Sequence, residues 1–363
     1  MTGKKRFSNF ELLRIISMFL IVVHHYAIHG TFIQTGTPGE RIALNALIAG
    51  GKIGVNVFVI IGGFFLVDKK FSFKRPISIS LIVGFYSYII YFILKTLKFN
   101  LIKHQWYEVF LPVPGSYWFA GSYIVLLFLI PYLNVLIKNI SRVNLKRLIL
   151  FLTVVWIIVP TFIMPNLVDL GLSHSELGYS TVSWFCYLYL LAAYIKKYPF
   201  KLVESLKASF VFLIAGIFLL LLSIVLPCLL SQPDQTLFQY SSYFLSENSL
   251  LSVWISIGLF LVFKNISLGY NYVINLIAGS TFAVYLIHDN LFVRNLLWGY
   301  VNDAQFHGGK QLLFSDLITS AVVFSLCIII DLIRRLLLGG FFKQITQKLG
   351  NFFDNTVVIT IKK

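Results

Sequence analysis

The feature that most limits what this chain can fold into is a succession of apolar runs, up to roughly 20 residues long, separated by short connections rich in lysine and arginine. A helix of about 20 residues crosses a ~30 Å hydrocarbon core with every backbone hydrogen bond satisfied internally. Ten segments are candidates: 10–30, 53–67, 77–97, 117–137, 148–164, 181–195, 208–229, 246–263, 273–288 and 313–333. The second, sixth and ninth are short for the task. The expected fold class is therefore an all-α polytopic membrane bundle of about ten transmembrane helices. Composition agrees, with 58% of residues hydrophobic and only 12% charged, where a soluble domain carries about 25% charged.

The basic residues give an orientation. With the N-terminus inside, the inner connections are 68–76, 138–147, 196–207 and 264–272, and together with both termini they hold 22 of the 30 lysines and arginines. Arg41, Lys52, Lys95, Lys98, Lys103, Arg294 and Lys310 fall at or near the outer side. Cytoplasmic loops attract this excess, so both termini are predicted to be cytoplasmic. A net charge of +16 in a soluble protein would suggest nucleic acid. Here the cations follow the connections, so membrane lipids are the expected partners and nucleic acid is not. Residues 1–340 read as one transmembrane domain, and 341–363 as a basic cytoplasmic tail able to lie on the inner leaflet. Lys4, Lys5 and Arg6 precede an apolar run too long, and too charged within, for a cleaved signal. Cys186, Cys228 and Cys327 lie in apolar runs without CxxC spacing and read as small buried hydrophobes.

The first segment, ELLRIISMFLIVVHHYAIHG, carries Glu11, Arg14, His24, His25 and His29 among its apolar residues. Helical residues step by about 100°, so Arg14 and His25, eleven apart, share a face and lie about 16 Å apart along the axis. Glu11, three before Arg14, is at pairing distance. His29, four after His25, extends the stripe. His24 points about 100° away from His25. Ionisable groups at this depth cost at least ~2.5 kcal/mol each and rarely face lipid. They are expected to line a polar passage. The sequence has no Walker loop, HExxH or Cys/His metal constellation and no GxSxG elbow, so no metal is expected.

NFELLRIISMFLIVVHH resembles the opening of the acyltransferase-3 family, integral-membrane proteins that move acyl groups, often acetyl, onto extracytoplasmic sugars. That family shows an acidic residue, a Leu, an Arg, ten residues and a His; Glu11, Leu13, Arg14 and His25 take those places. GVNVFVIIGGFFL at 54–66 is similar to a second family run, with Gly62 where Ser is usual and Asn56 where an acidic residue is common. SYWFAGSYIVLLFLIPYLN at 116–134 and STFAVYLIHDNLF at 280–292 resemble two later segments.

The resemblance implies a membrane-bound O-acetyltransferase of the bacterial cytoplasmic membrane. Its donor would be acetyl-CoA, and its acceptor a surface polysaccharide or lipid-linked sugar. His25 would be the general base or an acyl relay, with Arg14 and Glu11 completing the catalytic set. Arg14, Lys70, Lys74 and Arg75 would hold the donor's phosphates. Trp118, Tyr123 and His288 would contact substrate, while Asp289 reads as solvated loop. A glycan or lipid exporter would also need a buried polar path, but transporters usually show paired, interrupted halves and no such symmetry is visible here. A membrane glycosyltransferase or polymerase would want acidic or Arg-rich outer loops, where this chain has only scattered acids.

Overall fold

The computed structural model describes residues 7–30, 37–99, 117–163, 179–231, 237–300 and 309–357. Among them the regular structure is helical. α1 is Ser8–His29, α2 Pro38–Leu66, α3 Lys74–Thr96 and α4 Trp118–Asn139. α5, Arg142–Thr153, continues as a π-helical stretch, Val154–Ile163, around Pro160. α6 is Thr181–Lys197, α7 Leu206–Leu230 and α8 Leu250–Asn265. α9 (Tyr272–Ala278) and α10 (Thr281–His288) form one line, which breaks by 81° before α11, Leu291–Gly299. α12 is one helix from Gly309 to Thr356.

Seven of these helices are long and apolar enough to span a membrane, or eight if the bent pair counts as one span. Two expected spans, 181–195 and 246–263, are helices of 17 and 16 residues, about 25 Å long. Two others run well past their expected limits. α2 begins fifteen residues before 53, which puts Lys52 inside a helix rather than in a loop. α12 continues unbroken beyond 333 for 48 residues in all, about 72 Å.

Hydrogen bonds between distant segments sort to two sides of the bundle. On one, the Ser8 side, Asn9 donates to Phe263 O, Ser8 accepts from Asn275, and Asn134 donates to Leu66 O. On the other, the His29 side, Tyr117 donates to Leu286 O, Asn45 to Ser241 and Asn56 to Glu247 O. Successive helices thus run alternately up and down. Basic residues on the Ser8 side do local work as well as topological work: Lys197 donates to Ile137 O, Lys264 to Val203 O and Arg335 to Leu276 O, satisfying carbonyls at or near helix C-termini. Asp354, near the end of α12, accepts from Ser72 Oγ and Phe73 N, so its carboxylate sits at the N-terminus of α3 and ties down the basic loop.

α1 lies in close contact with α2. A side chain at Gly54 would meet Ser17 O and Ile21, and one at Gly51 would collide with the His24 ring. Small residues permit this approach where lipid offers no hydrophobic drive between helices. Arg334 is buried, donating at 2.7 Å to Asp331, which also accepts from Tyr86 of α3 at 2.7 Å. Asp331→Ala should therefore destabilise by about 3 kcal/mol, because it strands a buried guanidinium. Tyr86→Phe should cost about 1 kcal/mol. Thermal unfolding in detergent reads both, and equal melting points for the two variants would contradict the buried triad.

Candidate functional site

The His29 half of α1 faces a cavity of about 260 Å³, walled by α1, α2, α4 and the α10–α11 break. His24, His25 and His29 all border it. The expectation that His24 faces elsewhere is corrected: 100° of separation still leaves both rings on a cavity this wide. His24 Nδ1–H donates to Ile48 O at 2.6 Å, and Gly51 makes room for its ring. Trp118 and Phe119 supply the aromatic wall, and Lys52 lies 5.9 Å from the Trp118 ring centroid. Lys52 also pairs with Glu247 at 2.9 Å, which accepts from Tyr179.

His25 is held from behind. Its Nδ1 is 2.8 Å from Nε2 of His288, whose Nδ1–H donates to Val284 O at 2.6 Å. His288 is fully buried, a layer back from the cavity wall, with both nitrogens engaged. Asp289, expected as solvated loop, is instead 1% exposed, with Oδ1 3.8 Å from His25 Nδ1. The helix breaks at this point because Asn290 is extended and caps α11, its side chain accepting from Phe292 N. Arg294, counted from sequence among the outer cations, returns to Asp289 as an ion pair at 2.8 Å. The signal for both was legible: an Asp-Asn dipeptide between apolar turns is a helix-start signature, and an Arg five residues beyond Asp289 is within reach of it.

His25, His29 and Asp289 present ligand atoms all within 4.8 Å of one another. Asp289 Oδ1 is already engaged by Arg294 at 2.8 Å, so a metal ion would have to compete with the guanidinium for it.

Toward the Ser8 side, Arg14 pairs with Glu11 at 2.9 Å; the Arg14 side chain is 30% exposed and that of Glu11 9%. Tyr123 lies within electrostatic reach of both Arg14 and Arg75. The structure thus separates the two aromatic residues of α4: Trp118 borders the His25 cavity, whereas Tyr123 sits deeper, stacked on Phe119 with centroids 5.8 Å apart. A side chain at Gly62 would lie 2.6 Å from the Tyr123 hydroxyl, so glycine leaves it room. Asn56 ties α2 to its neighbours, accepting from Trp184 Nε1 and donating to Glu247 O. Lys70 and Arg75 are exposed, and the stem of Lys74 packs on Gly350.

The family model described as an acyltransferase domain matches residues 7–334, nearly the whole chain and every element that builds this site. The chain belongs to the acyltransferase-3 family. No curated protein and no solved structure matches it. This acyltransferase-3 protein is accordingly a multi-pass membrane acyltransferase. The match takes in Glu11, Arg14, His25, the Trp118 wall and the His288–Asp289 break together.

Proposed function

We propose that this protein is an O-acetyltransferase that moves an acetyl group from acetyl-CoA on the cytosolic, Ser8 side to a hydroxyl of a glycan presented on the outer, His29 side. The glycan is a surface polysaccharide or lipid-linked sugar, and the membrane is the bacterial cytoplasmic membrane. The observation that carries the reading is a single helix with Arg14 toward one side and, eleven residues on, a buried His25 bordering an aromatic-walled cavity beside a carboxylate.

Ester formation needs a deprotonated hydroxyl, a polarised thioester carbonyl and a donor held still. His25 takes the hydroxyl proton as the oxygen attacks the acyl carbon. The C–S bond then breaks, and the proton passes from the imidazolium to the departing thiolate. If His25 itself is first acylated, the same balance runs in two steps and the acyl group crosses without the whole donor. Asp289, 3.8 Å from the ring, offers countercharge to the imidazolium. Arg14 presents a planar fork suited to phosphate or to the thioester oxygen, with Glu11 orienting it. Lys70, Lys74 and Arg75 lie on or beside the loop that would meet the nucleotide end of the donor. Trp118 gives the acceptor sugar an apolar face, and Tyr123 lies between the two ends. Membrane lipids surround the bundle as partners.

The test is mass analysis of surface glycan from cells carrying the intact gene or a deletion. A mass increment of one acetyl group per modified sugar, present only with the gene, is expected. Glycan of identical mass from both strains would reject the acceptor class.

A further inference from the structure

We propose that His288 is a positioning residue: it fixes the ring tautomer of His25, so that His25 Nε2 is the atom that takes the acceptor's proton. This rests on the acyltransferase reading above and names the reacting atom within it. A neutral imidazole carries one N–H and one lone pair. A carbonyl oxygen only accepts, so the 2.6 Å contact of His288 Nδ1 with Val284 O puts the His288 proton on Nδ1. Nε2 of His288 then holds a lone pair. It lies 2.8 Å from His25 Nδ1, and two facing lone pairs would repel, so His25 Nδ1 carries the hydrogen and donates. The one proton of neutral His25 is thereby committed, and Nε2 is left with its lone pair.

The order of the chain matters. Val284 belongs to the same helical turn as His288, so the backbone of α10 dictates the first link. His288 is 0% exposed, so water does not compete for either nitrogen. The reverse order would need a doubly protonated His288, a charge on a ring that is 0% exposed. Asp289 does not set the tautomer, because 3.8 Å is beyond hydrogen-bond distance. It supplies charge while His288 supplies direction. The division resembles a serine-protease triad in logic, with the two duties that one aspartate performs there split between neighbouring residues. His24 is locked by a different carbonyl, Ile48 O, and the charges that reach it, Lys52 and Glu247, are paired with each other at 2.9 Å.

Two variants and one spectrum test this. His288→Leu removes the acceptor; His288→Gln keeps one, since its Oε1 can accept from His25 Nδ1–H. His288→Leu should lower kcat about 10²-fold or more, with KM for acetyl-CoA and for acceptor within about twofold. His288→Gln should stay within about tenfold of the parent. Nitrogen-15 histidine spectra in lipid nanodiscs should show His25 as the Nδ1–H tautomer in the parent and in His288→Gln. Parental kcat in His288→Leu, a loss in His288→Gln as deep as in His288→Leu, or an Nε2–H His25 in the parent each overturns the proposal. Should His288→Leu fail to insert, the parent spectrum and His288→Gln still decide. Failure of the functional reading has a separate signature: full acyl transfer by His25→Ala, whatever the spectrum shows.

Discussion

Replacing His25 by alanine should lower acyl transfer by about 10³-fold or more while the protein still inserts and folds. General-base catalysis contributes roughly 10²- to 10⁴-fold, and a nucleophilic relay would raise that toward complete loss. The fold should survive because the substitution enlarges an existing cavity rather than opening a new void, and because His288 keeps its bond to Val284 O. His24→Ala is the control. It borders the same cavity and loses a hydrogen bond of its own, but its ring nitrogen meets a backbone carbonyl rather than a second imidazole, and the charges near it, Lys52 and Glu247, are paired with each other. Its loss should be about tenfold. Rates are to be measured with purified variants in nanodiscs, labelled acetyl-CoA and a soluble acceptor fragment. Equal losses at the two histidines would mean that neither Asp289 nor His288 singles out His25, and the site would have to be redrawn.

What the sequence made legible follows from which forces act locally. The α1 stripe was readable because a helix fixes azimuth: Glu11, Arg14, His25 and His29 needed only the 100° step. The spans were readable because burial in lipid demands long apolar runs. Lys52, expected near the outer side, lies on the His29 side but within a helix, because α2 begins fifteen residues before its apolar core, where Gly50, Gly51 and Gly54 permit close packing against α1 instead of marking a loop. The Asp331–Arg334 pairing went unread because a positive-inside count has no means of detecting a partner three residues earlier in the same helix. The Asp-Asn dipeptide at 289–290 carried a local helix-start signal, but the burial of Asp289 and its pairing with Arg294 follow from a tertiary event, an 81° break that folds an apparent loop back into the bundle. The His25–His288 contact spans 263 residues and has no local signature at all.

Arg14→Ala should raise the KM for acetyl-CoA and lower kcat/KM by about 10²- to 10³-fold, leaving the acceptor KM within about twofold. Two charge-assisted hydrogen bonds to a phosphate or thioester oxygen are worth about 3–4 kcal/mol together, which sets that range. Lysine should rescue poorly, because an ammonium is a point charge and does not offer a planar fork. A purely structural arginine would behave differently. Its ion pair with Glu11 is partly solvated on the Arg14 side, and pairs of that kind contribute little to stability. Glu11→Gln isolates the orienting role: it keeps the guanidinium, releases its anchor, and should cost about tenfold in kcat/KM without changing the acceptor KM. The double variant Glu11→Gln/Arg14→Ala should then be no worse than Arg14→Ala, since an anchor has no value once the anchored group is gone. Additive losses in the double variant would show that Glu11 acts independently of Arg14. A parental donor KM in Arg14→Lys would show that charge alone, without the fork, is what the donor meets on this side of the membrane.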